Sequence, residues 1–108
     1  VRRVKLQRRK GWRLPHNTKI VDRRTKWGNP FFVKQVKDRW VVVNGAGGAL
    51  RVFGDHDQAL SDCLEKYRSH VLLSPDLDLS ELRAYSGLAC WCRLDRSCHA
   101  DILIDLVK

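Results

Sequence analysis

The run Leu88-Ala89-Cys90-Trp91-Cys92, followed after a short polar loop by Cys98-His99-Ala100-Asp101, constrains the fold more than any other stretch of the chain. An apolar run this short suits a buried strand rather than a helix of ordinary length. Strand geometry has period two, so Cys90 and Cys92 should face one side of the sheet and Trp91 the other. Gly87 is a natural stop for whatever precedes the strand. Beyond the loop, Ala100, Ile102, Leu103, Leu106 and Val107 recur at helical spacing, with Ser97 as the expected N-cap and Asp101 as an acid suited to the positive helix end. A strand feeding a helix whose apolar stripe needs a sheet to cover implies an α/β fold.

The same junction can carry chemistry. A helix N-terminus offers unpaired N–H groups and partial positive charge, which stabilise a thiolate or a bound anion. Cys98 is therefore the candidate nucleophile, with His99 or Asp101 as the acid or base. Ligands of open α/β sheets collect beyond the carboxyl ends of the strands, and Arg93 and Arg96 add charge in the loop there. Whether the protein is an enzyme stays open at this level.

The remaining pattern supplies the other elements. Val1 to Leu6 reads as an edge strand carrying positive blockers, and Thr18 to Asp22 as a second short strand. Arg39 to Val43 and Ala49 to Phe53 read as a hairpin joined by Asn44-Gly45-Ala46-Gly47-Gly48, a turn that leads into a strand and lacks the ending of a phosphate loop. An amphipathic helix follows Gly54-Asp55, with Ala59, Leu60, Cys63, Leu64, Tyr67 and Val71 on its apolar face. Asp78 and Glu81 have capping-box spacing and open a short helix toward Tyr85. The expectation is one small α/β domain over residues 1–108, with a mixed sheet of about five strands and helices packed on it.

Charge points to the class of partner. Residues 1–39 hold fourteen Lys and Arg against two acids, a net of +12, whereas residues 40–108 hold seven against ten, a net of −3. Such asymmetry favours a phosphate-bearing small molecule or a nucleic acid bound by the N-terminal third. Within it, Arg23-Arg24-Thr25-Lys26-Trp27-Gly28-Asn29-Pro30-Phe31 reads as a rigid loop. Its candidate ligand contacts are Arg23, Arg24, Trp27 and Asn29, joined by Arg93 and Arg96. Arg8, Arg9, Lys10, Trp12 and Arg13 form the candidate nucleic-acid segment, where the indole could stack on a base. No apolar run reaches the length of a membrane span, about 18 residues, so no membrane partner is expected. Four cysteines without secretory features suggest reduced thiols in a cytoplasm.

Cys90, Cys92, Cys98 and His99 also supply four zinc-compatible groups, with Cys63 available if its helix packs nearby. The spacing is not that of a known ribbon or finger. Neighbouring helical side chains diverge by about 100°, which sets Cys98 and His99 apart. Buried thiols are expected in preference to zinc, and no cofactor is assigned.

Two blocks together resemble the domain-of-unknown-function family 4326, a group of phage and bacterial proteins. One is Arg9-Lys10-Gly11-Trp12-Arg13-Leu14-Pro15, Asn17-Thr18, Val21, Arg23, Thr25 and Trp27-Gly28-Asn29-Pro30-Phe31. The other is Leu88-Ala89-Cys90-Trp91-Cys92 with Cys98-His99-Ala100-Asp101. The resemblance implies a small cytoplasmic domain, often phage-encoded, with both blocks at one site and no catalytic assignment. Binding or processing of a nucleotide or another phosphate-bearing ligand at that site is the leading expectation. The alternatives are a weakly specific nucleic-acid binder and a phage effector that docks on a host protein.

Overall fold

The computed structural model describes residues 1–45 and 47–108, so Ala46 of the glycine-rich turn lies outside the described residues. Along the chain come β1 (Arg2–Lys5), β2 (Thr18–Ile20), β3 (Phe31–Val36), β4 (Arg39–Asn44), β5 (Ala49–Phe53), α1 (His56–Leu73), a 3₁₀ helix over Leu79–Ala84, β6 (Gly87–Cys90) and α2 (His99–Val107). They fall into two compact units, one made of Val1–Gly28 with Pro75–Lys108 and the other of Asn29–Ser74.

In the first unit the strand order is β1-β6-β2, and both outer strands run parallel to β6. All four residues of β6 are buried, which is why its sequence is a continuous apolar run rather than an alternation. The ladder continues past the strand ends through Leu6 N–H to the Cys90 carbonyl and Val21 N–H to the Ala89 carbonyl, both at 2.8 Å. The residues that follow β1 and β2 are thereby anchored beside the end of β6. Helix α2 packs on β1, β6 and the 3₁₀ helix, burying Ala100, Leu103 and Val107. The 3₁₀ helix opens on Asp78, whose carboxylate accepts from the Ser80 N–H at 3.0 Å.

In the second unit β3, β4 and β5 form an antiparallel meander covered by α1. Its core is Val42, Ala59 and Cys63, with Phe31, Val33, Trp40 and Phe53 packed against them. The Asp55 carboxylate caps α1 by accepting from the Gln58 N–H at 3.2 Å, as the Gly54-Asp55 start implied. Register shifts between Val42 and Val43, whose partners are Arg51 and Ala49, so Leu50 is the extra residue of a bulge.

The α/β class holds, but the strands are divided between two three-stranded sheets, one parallel and one antiparallel, instead of one mixed sheet. The sixth strand, β3, was not expected. It reverses into β4 through Lys37-Asp38 alone, with Lys37 at φ 56°, a turn without the glycine or asparagine that usually announces one. Among the described residues no helix is long and apolar enough to cross a membrane.

Candidate functional site

Because β1, β6 and β2 are parallel, their carboxyl ends at Lys5, Cys90 and Ile20 lie side by side, and the segments leaving them converge. Arg8 follows β1, Asp22 to Arg24 follow β2, and Trp91 and Cys92 follow β6. With Cys90 and His99 they line a cavity of about 270 Å³. This is the position at which open α/β sheets place their ligands.

Asp22 organises one wall. It is 4% exposed, and its carboxylate accepts from the Arg24 backbone N–H at 3.1 Å, Arg24 Nε at 2.9 Å and the Trp91 indole Nε1 at 3.1 Å. Burial opposes ionisation of this carboxyl, but the hydrogen bonds from Arg24 and Trp91 outweigh it and hold the group below its ordinary value. The Asp22 carbonyl accepts from Thr25 N–H and Oγ1, and Thr25 Oγ1 in turn accepts from Trp27 N–H at 3.2 Å. The turn folds back so tightly that a Cβ on Gly28 would lie 2.5 Å from Arg23 Cα and 2.8 Å from the Asp22 oxygen. Only glycine fits there. On the other side of the cavity the Arg8 guanidinium sits over the Trp91 ring, 5.0 Å from its centroid.

The floor is a cluster of sulfur and nitrogen. The Sγ atoms of Cys90, Cys92 and Cys98 lie within 4.8 Å of one another, and Cys90 Sγ to Cys98 Sγ is 3.1 Å. All four cysteines are free thiols. His99 is buried, with Nε2 at 2.6 Å from the Val21 carbonyl and Nδ1 at 3.5 Å from Cys98 Sγ. A carbonyl only accepts, so Nε2 donates to Val21, and Nδ1 is the ring nitrogen on the side of the thiols. Hydrogen bonds from the Cys90 and Cys98 thiols, with His99 alongside, hold the half-buried Cys92 thiol far below its ordinary value. Hydrogen bonding to that neighbour pushes Cys90 up, and bonding to Cys90 and Cys92 together with burial pushes Cys98 up.

Helix α2 begins one residue later than the Ser97 cap implies. Cys98 is itself the N-cap, with extended φ −145° and ψ 156°, and Asp101 accepts from its N–H at 3.0 Å. Asp101 also takes Arg3 Nη1 at 2.8 Å, while Arg3 Nη2 reaches the Arg93 carbonyl at 2.7 Å. Asp101 is therefore engaged in capping and pairing. Arg3, expected only as an edge blocker, has a side chain just 7% exposed and pins the loop to the helix start.

The other candidates disperse. Arg23 and Arg24 line the cavity, but Trp27 is wholly buried and holds the turn. Asn29 belongs to the second unit, where its amide donates to Cys63 Sγ at 3.6 Å and its oxygen accepts from the Phe31 N–H at 2.8 Å. Cys63 lies in that unit too, within the apolar face of α1. Arg93 is exposed and paired with Asp95 at 2.8 Å, and Arg96 is exposed in the same loop. Of the basic segment, Arg8 lines the cavity, Arg9, Lys10 and Arg13 are exposed and Trp12 is half-buried. Sequence reasoning passed over Asp22 and Trp91. The available signal for Asp22 was a lone acid directly after a strand, inside an otherwise basic stretch.

No curated protein and no solved structure matches the chain. One family model does match, over residues 4–108, nearly the whole chain, and includes every residue of the cavity. On that match the chain belongs to the family described as Domain of unknown function (DUF4326).

Proposed function

We propose that the cavity beyond β1, β6 and β2 binds a phosphate-bearing small molecule, with a nucleotide the preferred class. The observation that carries the reading is the set of three guanidinium groups, Arg8, Arg23 and Arg24, around one cavity whose single carboxylate, Asp22, is already paired with Arg24. Guanidinium forks match phosphate oxygens in planar, two-pronged contacts. The Trp91 ring, 40% exposed, supplies an aromatic surface on which a base can stack. A volume of about 270 Å³ suits a nucleoside monophosphate or sugar phosphate. It lies just below the span of typical small-molecule sites, roughly 300 to 1,000 Å³, so the ligand is a small one.

Calorimetry against inorganic phosphate, nucleoside monophosphates and sugar phosphates tests this. Arg23→Ala should weaken binding roughly 10- to 100-fold, the value of one charge-assisted hydrogen bond. Absence of binding by every member of that series at millimolar concentration, or binding indifferent to Arg23→Ala, would refute the reading. A second reading rests on the exposed Arg9, Lys10 and Arg13 between β1 and β2, which suit a nucleic-acid backbone. It requires affinity for oligonucleotides that falls steeply with salt and survives Arg23→Ala.

A further inference from the structure

We infer that Cys90, Cys92, Cys98 and His99 form a four-coordinate zinc site, closed to further ligands, that ties the end of β6 to the start of α2. The three sulfurs and His99 Nδ1 come from the end of a strand, the loop after it and a helix N-cap. The three sulfurs lie at the spacing a single small ion requires, and His99 Nδ1 stands 3.5 Å from one of them, Cys98 Sγ. Zn–S bonds of about 2.3 Å and Zn–N bonds of about 2.1 Å at the tetrahedral angle put two sulfurs about 3.8 Å apart and a sulfur and nitrogen about 3.6 Å apart. The sulfur separations bracket the first edge, at 3.1 Å for Cys90 to Cys98 and at most 4.8 Å between any two, and Cys98 to His99 Nδ1, at 3.5 Å, is close to the second.

The second shell fits as well. A ligating histidine typically donates its other ring N–H to a carbonyl or carboxylate, which fixes the tautomer and ring orientation. His99 does so through Nε2 to the Val21 carbonyl, which turns Nδ1 toward the thiols. Cys98 is held in place by its N–H to Asp101 and by the Arg3–Asp101 pair. Divergence of adjacent helical side chains argues against joint ligation from the sequence. That objection lapses because Cys98 is an extended N-cap residue and His99 the first helical one, which lets both side chains turn to the same point. Three thiolates, a neutral imidazole and a divalent ion sum to one negative charge. Arg8, Arg23 and Arg24 line the cavity above it and offset that charge. Soft thiolates with one imidazole in a tetrahedral set favour zinc over the hard divalent cations.

The inference does not depend on the ligand proposed above, since metal content and phosphate binding are read separately. Untagged protein purified under reducing conditions should carry one zinc per chain by elemental analysis. Replacing it with cobalt should give the visible bands of tetrahedral Co²⁺ with a thiolate charge-transfer band. Cys63→Ser should keep the full metal content, and Cys92→Ser should lose most of it. His99→Gln should retain the charge-transfer band while shifting the visible bands, so the ligand set is read even where a cysteine variant folds poorly. The inference is overturned if reduced protein incubated with excess zinc or cobalt and then desalted retains neither. It is equally overturned if the cobalt spectrum is that of an octahedral aquo ion, or if Cys63→Ser removes the metal.

Discussion

Removing the Asp22 carboxylate tests whether one buried acid builds the cavity wall. In Asp22→Ala the Arg24 side chain, 71% exposed, returns to water at little cost. The Arg24 backbone N–H and the Trp91 indole N–H, both part-buried, lose their acceptor. Each such donor left without a partner costs about 1–3 kcal/mol, so the pair should cost about 2–6 kcal/mol. With an unfolding entropy of about 2.1 cal/mol/K per residue, the 108 residues give roughly 230 cal/mol/K, and the melting temperature should fall by roughly 9–26 °C. The pH dependence adds a second signature. The folded carboxyl titrates below its ordinary 3.8, so the unfolded chain binds the proton more readily. The stabilisation is complete above that ordinary value and disappears as pH falls through the lower folded value. Calorimetric melts at pH 7 and through the acid range should show a wide gap between the parent protein and Asp22→Ala that narrows at the acid end. A melting temperature within about 2 °C of the parent at pH 7, or a gap unchanged in acid, would refute the argument, since the loss is worked from those two donors.

Two further outcomes follow from the same geometry. Gly28→Ala drives a Cβ against Arg23 and Asp22 backbone and should cost about 1–3 kcal/mol or more. Gly54→Ala, with open space at its Cβ, should be neutral or stabilising by up to about 1 kcal/mol, and urea melts of the two variants make the comparison. In reduced, metal-free protein, iodoacetamide should label Cys92 before Cys63, Cys90 and Cys98. Its rate should stay flat from about pH 6 to 9, because the low-titrating thiol is already a thiolate there. Mass spectrometry of the peptides gives the order, and a tenfold rise per pH unit would contradict it.

The elements whose periodicity is strong were legible before any coordinates. Helix α1, strand β6 and helix α2 stand near where the apolar pattern put them, because each has a face or a run that only burial explains, although β6 takes in Gly87 and ends at Cys90, short of the expected Cys92, and α2 starts one residue late. The strand β3 was not, since Phe31 read as the end of the rigid loop and Lys34-Gln35 hid the alternation. Its reversal at Lys37-Asp38 has no glycine to mark it. The site was half legible. Strand-end and helix-start residues could be placed from the order of elements alone, which brought Arg23, Arg24, Cys92 and His99 to one cavity. The roles inside it depended on contacts distant in sequence. Asp22 to Trp91, His99 to Val21 and Arg3 to Asp101 each join residues about 70 to 100 apart, and no local spacing rule reports such pairs.

The middle position of β6 has a kinetic consequence. Its two neighbours are made early and it is made late: Arg2 pairs with Gly87, and Thr18 pairs with the same residue. During synthesis the first two strands have nothing to zip onto until β6, far downstream of both, leaves the ribosome. The hairpins of β3 to β5 close over a few residues and are free to form long before. Loop closure over so great a separation is the slow step, so a nascent chain stalled before Gly87 would carry a basic, unpaired arm. The cavity and its thiol floor come into being only once β6 and the start of α2 have been made.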